Sequence, residues 1–167
     1  MGKQDPLEPF REALASMPGF LANVASRLDG PARLRPRPGG GFCFLEQVWH
    51  LADLEVLGYQ ARIERLLTEQ DPLLRDFDGA AVARERDYRA QDLDLGLDRF
   101  TRARRRNLAL LASAGPRDWD RGGRQEGVGG IRLLDLPRMM AAHDESHRDE
   151  IAEILGKEPG SGRSLVA

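Results

Sequence analysis

Three histidines, His50, His143 and His147, are the whole imidazole supply of this 167-residue chain. His143 and His147 stand at i and i+4, a spacing that sets two side chains on one face of an α-helix, a turn apart, where both can reach a single metal ion. His50 is the candidate third ligand. Neutral imidazole nitrogens suit Zn, Ni, Cu and Fe, and three protein ligands leave a position open for water or substrate. An ion so held lowers the pKa of a bound water, stabilises a bound thiolate, or polarises a carbonyl or epoxide oxygen. An HxxxH pair also arises by chance, and the bland alternative is a set of core rings satisfied by carboxylates. The choice depends on whether the elements that carry the three rings turn them inward.

Helical periodicity dominates the chain. Leu7, Phe10, Leu14, Met17, Leu21, Val24 and Leu28 mark a first helix that Pro18-Gly19 is expected to bend or split. The loop Arg33 to Gly41 (RLRPRPGGG) forbids regular structure, and its arginines read as a solvated connector. A second helix runs from Cys43 or Phe44 to about Leu67, with one apolar stripe through Val48, Ala52, Val56, Tyr59, Ile63 and Leu66 and another through Leu54, Leu57 and Ala61. A helix apolar on two sides is a central one, and His50 lies on the second stripe, pointing inward. A third helix spans Gln91 to Ser113, with Arg102, Arg104, Arg105 and Arg106 read as a mostly outward, solvated face. The glycine-rich stretch Arg121 to Gly130 lacks the spacing and terminal Lys-Ser/Thr of a phosphate loop and reads as a flexible connection. A fourth helix runs from Leu133 or Asp135 to Leu155, and its stripe Leu136, Met140, His143, His147, Ile151, Ile154 gives both histidines core positions. No strand is expected. The fold class that follows is all-α, a four-helix bundle with a long crossover connection (Asp71 to Ala90, with a short helix from about Gly79), forming one domain over 1–157 and a flexible tail over 158–167.

Composition narrows the partners. Net charge is −2, with 41% hydrophobic and 31% charged residues, which argues against a nucleic-acid surface and against disorder. No apolar run approaches the ~18 residues of a membrane span, and the single cysteine, Cys43, fits a reducing compartment; the expectation is a soluble, cytoplasmic protein. Buried imidazoles without partners cost roughly 1 to 3 kcal/mol each. Glu46, Asp53, Asp144 and Glu150 are the carboxylates near enough along their helices to accept a second-nitrogen hydrogen bond. Each has another reading: Glu46 occupies the N3 place of a capping box started by Cys43, and the others read equally as surface residues.

Read together, these motifs resemble the DinB/YfiT superfamily of bacterial metal-binding four-helix bundles. The residues that carry the likeness are Gly41-Phe42-Cys43 entering a helix, His50-Leu51-Ala52-Asp53 with Glu55, and His143-Asp144-Glu145-Ser146-His147. Nearly the whole chain is covered. The resemblance implies a metal triad of His50, His143 and His147, Zn or Ni as the ion, a homodimer, and a stress-associated or DNA-damage-inducible role without DNA binding. It further implies a transferase that joins a low-molecular-weight thiol, such as bacillithiol or mycothiol, to an electrophilic substrate. A metal-dependent hydrolase or isomerase, and a noncatalytic metal binder of the stress response, are the alternatives. Phe42 and Cys43 stand where the family carries Trp and Ser/Thr, and the loop before the last helix lacks the histidine that many relatives have there.

Overall fold

The computed structural model describes residues 5–156; the tail expected at 158–167 lies outside the described residues. Helix α1 (Glu8–Arg27) is followed by the single turn α2 (Gly30–Arg33), then by α3 (Phe44–Asp53), a π-helical segment (Leu54–Gln60) and α4 (Ala61–Thr68), which together form one continuous helical rod. The crossover holds strand β1 (Leu73–Leu74) and the short helix α5 (Gly79–Arg86). Helix α6 (Leu93–Ala112), a hairpin of β2 (Gly122–Gln125) and β3 (Gly129–Arg132), and α7 (Leu136–Ile154) complete the order. The bundle consists of α1, the α3 to α4 rod, α6 and α7. Both α1 and the rod pack against α6 and against α7.

The buried side chains fall into two apolar clusters. One holds Met17, Leu21, Val24, Phe44, Val48 and Phe100 with Ile151, the other Leu7, Leu14, Tyr59, Ile63, Leu66 and Leu111 with Met140. The rod, α6 and α7 also contribute a polar layer: Glu55, Arg104, Asn107, Asp144 and His147, all buried. Arg104, 1% exposed, is its centre. Nη1 donates to the backbone carbonyl of Leu14 at 2.9 Å and to Asp144 Oδ2 at 2.6 Å; Nη2 donates to Asp144 Oδ1 at 2.9 Å and Glu55 Oε1 at 2.7 Å. Asn107 Nδ2 adds bonds to the Glu55 carbonyl and to Oε2.

The contact with Leu14 explains Pro18. In an α-helix the N–H of residue i serves the carbonyl of i−4, so a proline at 18 leaves the Leu14 carbonyl without its donor. Arg104 supplies one from the facing helix, and α1 runs unbroken through Pro18, where a bend or split was expected. Arg104 is thus a core residue, unlike its neighbours Arg102 and Arg106, which are exposed. Reading the whole arginine run as one solvated face fails at this residue.

Through the π-helical segment the first stripe continues, with Glu55 and Tyr59 buried, while Leu57 is 51% exposed. The second apolar stripe predicted through Leu57 therefore ends at Leu54. Asp53 is fully buried, and accepts bonds from Tyr88 Oη at 2.8 Å, from Arg99 Nε at 3.1 Å and from Arg86, pinning the crossover to the rod.

Strands are present where none was expected. β2 and β3 pair antiparallel, and β1 joins β2 in parallel. The glycine content that suggested a flexible loop serves this small sheet: Gly127 and Gly129 take positive φ in the turn, and a Cβ on Gly123 would lie 2.6 Å from the Pro72 carbonyl. Sheet pairing leaves Gln125 turned inward.

The polar layer predicts the outcome of Arg104→Met. Removing the guanidinium strands two buried carboxylates and the Leu14 carbonyl, and stability should fall by about 3–5 kcal/mol, read as a lower urea midpoint with an unchanged slope.

Candidate metal centre

Helix α3 starts where Glu46 accepts from the Cys43 backbone N–H at 2.9 Å, the capping role expected of it. Two turns on, His50 projects between the bundle and the crossover, while Asp144, gripped by Arg104, fixes the rotation of α7 and thereby His143 and His147. The three rings meet. Centroid separations are 5.0 Å for His50 and His147, 5.6 Å for His50 and His143, and 4.5 Å for His143 and His147. One nitrogen of each ring lies within 4.8 Å of the others. Phe42 and Phe77 flank the His50 ring.

Hydrogen bonding sets the His147 tautomer. Glu150 is an acceptor, and Gln47 Nε2 donates to its Oε2 at 2.5 Å, so the amide oxygen of Gln47 faces the other way, onto His147 Nδ1. Nδ1 must then carry the proton, which leaves Nε2 with a free lone pair. That atom faces His143 Nε2 at 3.2 Å. Arg37 stands beyond Glu150, with Nη1 at 3.8 Å from Oε1, and closes the chain.

All three rings are held neutral. Burial, aided by His143, lowers the His50 pKa to about 4. Burial and the positive charges of Arg104 and Arg62 bring His143 to about 4, and burial with the other two imidazoles takes His147 to about 2.

This donor set fits a divalent ion. Two ligands on a tetrahedral zinc with ~2.0–2.1 Å bonds stand about 3.4 Å apart, close to the 3.2 Å between the facing Nε2 atoms. His50 Nδ1 is buried without a hydrogen-bond partner among the described residues, an orphaned atom in a chain that satisfies most of its buried polar groups. Gly79, the first residue of α5, packs on this ring: a Cβ there would lie 2.6 Å from Cε1 and 2.7 Å from Nδ1. A cleft of about 490 Å³ opens beside His50 and His143, walled by Leu54, Tyr59, Phe77 and Met139 and reached by Arg62 and Gln125.

Of the carboxylates considered as imidazole partners, Glu46 caps α3 and Asp53 and Asp144 bind arginines. Asp53 and Asp144 are buried, not surface residues. Glu150 acts through Gln47, lying 3.9 Å from His147 Nδ1 itself. Gln47 is the residue that sequence reasoning missed; its position three before His50, on the same face, was the available signal.

A family model described as the DinB superfamily matches residues 13–151. The chain belongs to the DinB superfamily. A curated Bacillus licheniformis protein, provisionally named a metal-dependent hydrolase, is 30% identical over 142 residues, covering 84% of this chain and 80% of that protein. Among solved structures, YfiT from Bacillus subtilis, described as "a probable metal-dependent hydrolase with an unusual four-helix bundle topology", superposes with a TM-score of 0.83 at 22% identity, covering 95% of this chain and 92% of the other. That likeness establishes the four-helix-bundle fold. Among the described residues, no helix is long and apolar enough to cross a membrane.

Two outcomes follow from this DinB geometry. Gln47→Leu frees the His147 ring to rotate or change tautomer, and metal affinity, measured by competition with a chromogenic chelator, should drop by roughly 10- to 100-fold. Second, an unfolded histidine protonates near 6.5, while His50 and His143 do so near 4 in the fold. Between those values the unfolded state binds more protons, so the metal-free protein loses stability as pH falls. The loss between pH 7 and 5 should be about 2 kcal/mol per ring. Urea midpoints that match at the two pH values would contradict neutral burial.

Proposed function

We propose that this chain is a metal-dependent enzyme in which His50, His143 and His147 hold a divalent ion, zinc or nickel, beside the open cleft. The observation that carries this reading is the convergence of three neutral imidazoles, two of which, His50 and His143, line a cleft large enough for a small molecule. An ion there supplies Lewis acidity, which favours the deprotonated form of a coordinated water or thiol and polarises an electrophile. The protein's part is orientation. Gln47 and Glu150 hold His147 with its Nε2 forward, Gly79 and Phe77 fix the His50 ring, and Leu54, Phe77 and Met139 give the cleft an apolar wall.

Two nucleophiles are compatible with this arrangement. Hydrolysis by activated water is supported by the names of both Bacillus relatives. Transfer of a low-molecular-weight thiol such as bacillithiol or mycothiol to an electrophile is supported by the shortage of a separate base. Once the triad is committed to the ion, the residues lining the cleft offer no further imidazole and one carboxylate, the exposed Asp76. A metal-activated thiol has least need of such a base. A cytoplasmic homodimer in a stress response belongs to the same proposal.

Elemental analysis of untagged protein should find one Zn or Ni per chain, and His143→Ala should lose the ion and at least about 100-fold in turnover. Assaying a thiol panel with 1-chloro-2,4-dinitrobenzene beside p-nitrophenyl acetate separates conjugation from hydrolysis. Full activity after exhaustive chelation would sink the metal-dependent reading.

A further inference from the structure

Arg62 helps keep His143 neutral, but its guanidinium is not held by any hydrogen bond of the fold or the metal centre among the described residues. It is 6% exposed, its Nε is buried without a hydrogen-bond partner, and among the described residues no carboxylate forms an ion pair with it. The Tyr59 ring lies 5.6 Å from the guanidinium carbon, and the Asp76 carboxylate acts on the charge from beyond ion-pair distance. The other buried arginine, Arg104, uses all four of its terminal N–H bonds. A guanidinium withdrawn from water and left unpaired is costly unless something else supplies the negative charge.

Its place in the molecule indicates what that is. Arg62 lines the same cleft as His50 and His143, together with Gln125, which is also 6% exposed and whose Oε1 is buried and unpartnered. Asp76 stands at the rim, but it is exposed and its Oδ1 accepts from the Phe77 N–H at 2.9 Å. The rest of the lining is largely apolar and aromatic, with Leu54, Phe77 and Met139. On its other side Arg62 borders a smaller cavity of about 210 Å³ lined by Gly58, Ala61 and Arg65.

We propose that the substrate of this site carries a carboxylate that binds Arg62 and an N–H or O–H group that donates to Gln125 Oε1, joined by an apolar body to the reacting group at the histidines. The inference rests on the metal-dependent reading for the position of that reacting group, though not for the charge preference. Guanidinium and carboxylate match as a fork to a fork, and the buried setting makes that pair selective against a neutral amide of the same shape. A substrate with no anionic group would leave Arg62 unpaired and should be rejected on that account.

The test uses a matched pair of probes, phenylacetate and phenylacetamide, titrated calorimetrically into the full-length protein, both metal-free and loaded with one equivalent of Co(II). The native protein should bind phenylacetate at least about tenfold more tightly than phenylacetamide. Arg62→Gln should abolish that preference while keeping the native circular dichroism and the Co(II) stoichiometry, and Arg62→Lys should keep part of it. Bound Co(II) should broaden the phenylacetate proton resonances, which places the probe in the cleft and not in the smaller cavity. Equal binding of the two probes, no binding of phenylacetate at millimolar concentration, a preference unaltered in Arg62→Gln, or the absence of broadening on the loaded protein would each overturn the proposal. If Arg62→Gln does not fold, Arg62→Lys and the native comparison still decide. Failure to take up Co(II), with the charge preference intact in the metal-free protein, would instead remove the metal reading and leave the anion subsite standing.

Discussion

One guanidinium joins all four long helices. Arg104 comes from α6 and binds the Leu14 carbonyl of α1, Glu55 of the π-helical segment and Asp144 of α7. Everything else about the site depends on that node, because a helix bundle packed only by apolar ridges tolerates small rotations and shifts of each helix. Directional hydrogen bonds between buried charges do not: any slip of one helix leaves a carboxylate or a carbonyl without its donor, at a cost the apolar packing cannot return. The polar layer contributes less as a source of net stability than as a constraint on register.

That constraint reaches the histidines by short covalent paths. Asp144 sits between His143 and the turn that carries His147, and Glu55 follows His50 by little more than a turn. Gripping both carboxylates therefore sets the rotation of the two elements that supply the triad. The remaining freedom of the rings is removed locally, by Gln47 and Glu150 for His147 and by Gly79 with Phe42 and Phe77 for His50. The crossover that brings Gly79 into place is itself tied down by Asp53, through Tyr88 and Arg86, while Arg99 of α6 binds the same carboxylate. Three charged or polar networks thus converge on one point, each from a different part of the chain.

Much of this was legible in the sequence because it is periodic. The helices, the short helix at Gly79, the cap made by Glu46 and the inward placement of the three histidines all follow from apolar spacing and helix-end chemistry. What escaped was polar residues occupying apolar positions. Leu97, Phe100, Arg104, Asn107 and Leu111 step by three and four along α6, so Arg104 and Asn107 stand on the core stripe, yet a run of neighbouring arginines reads as surface. Pro18 held the complementary signal, since a proline inside a straight helix requires an outside donor for the carbonyl four residues back. The small sheet escaped for a different reason: Gly122 to Gly130 has no apolar alternation, and the approach of β1 to β2 depends on backbone closeness that only glycine allows, at Gly123 against Pro72. The π-helical turn leaves no mark on composition, and within it the second stripe ends, with Leu57 exposed.

The contrast between the two buried arginines gives the division of labour in this bundle. The four terminal N–H bonds of Arg104 are taken by partners from its own fold, with only its Nε left over, so its charge is committed to holding helices in register. Arg62 is withdrawn from water to a similar degree but lacks such partners, and it faces the cleft on the rod just past the π-helical turn. Val48, Ala52, Glu55, Tyr59, Arg62 and Leu66 step by four, three, four, three and four along the rod, and all are buried, so Arg62 stands on the stripe that carries Glu55 inward. From that one face Glu55 meets Arg104 and Arg62 meets the cleft. A single face of the rod therefore serves both the rigid half of the site and its open half, with the committed charge and the uncommitted one two turns apart.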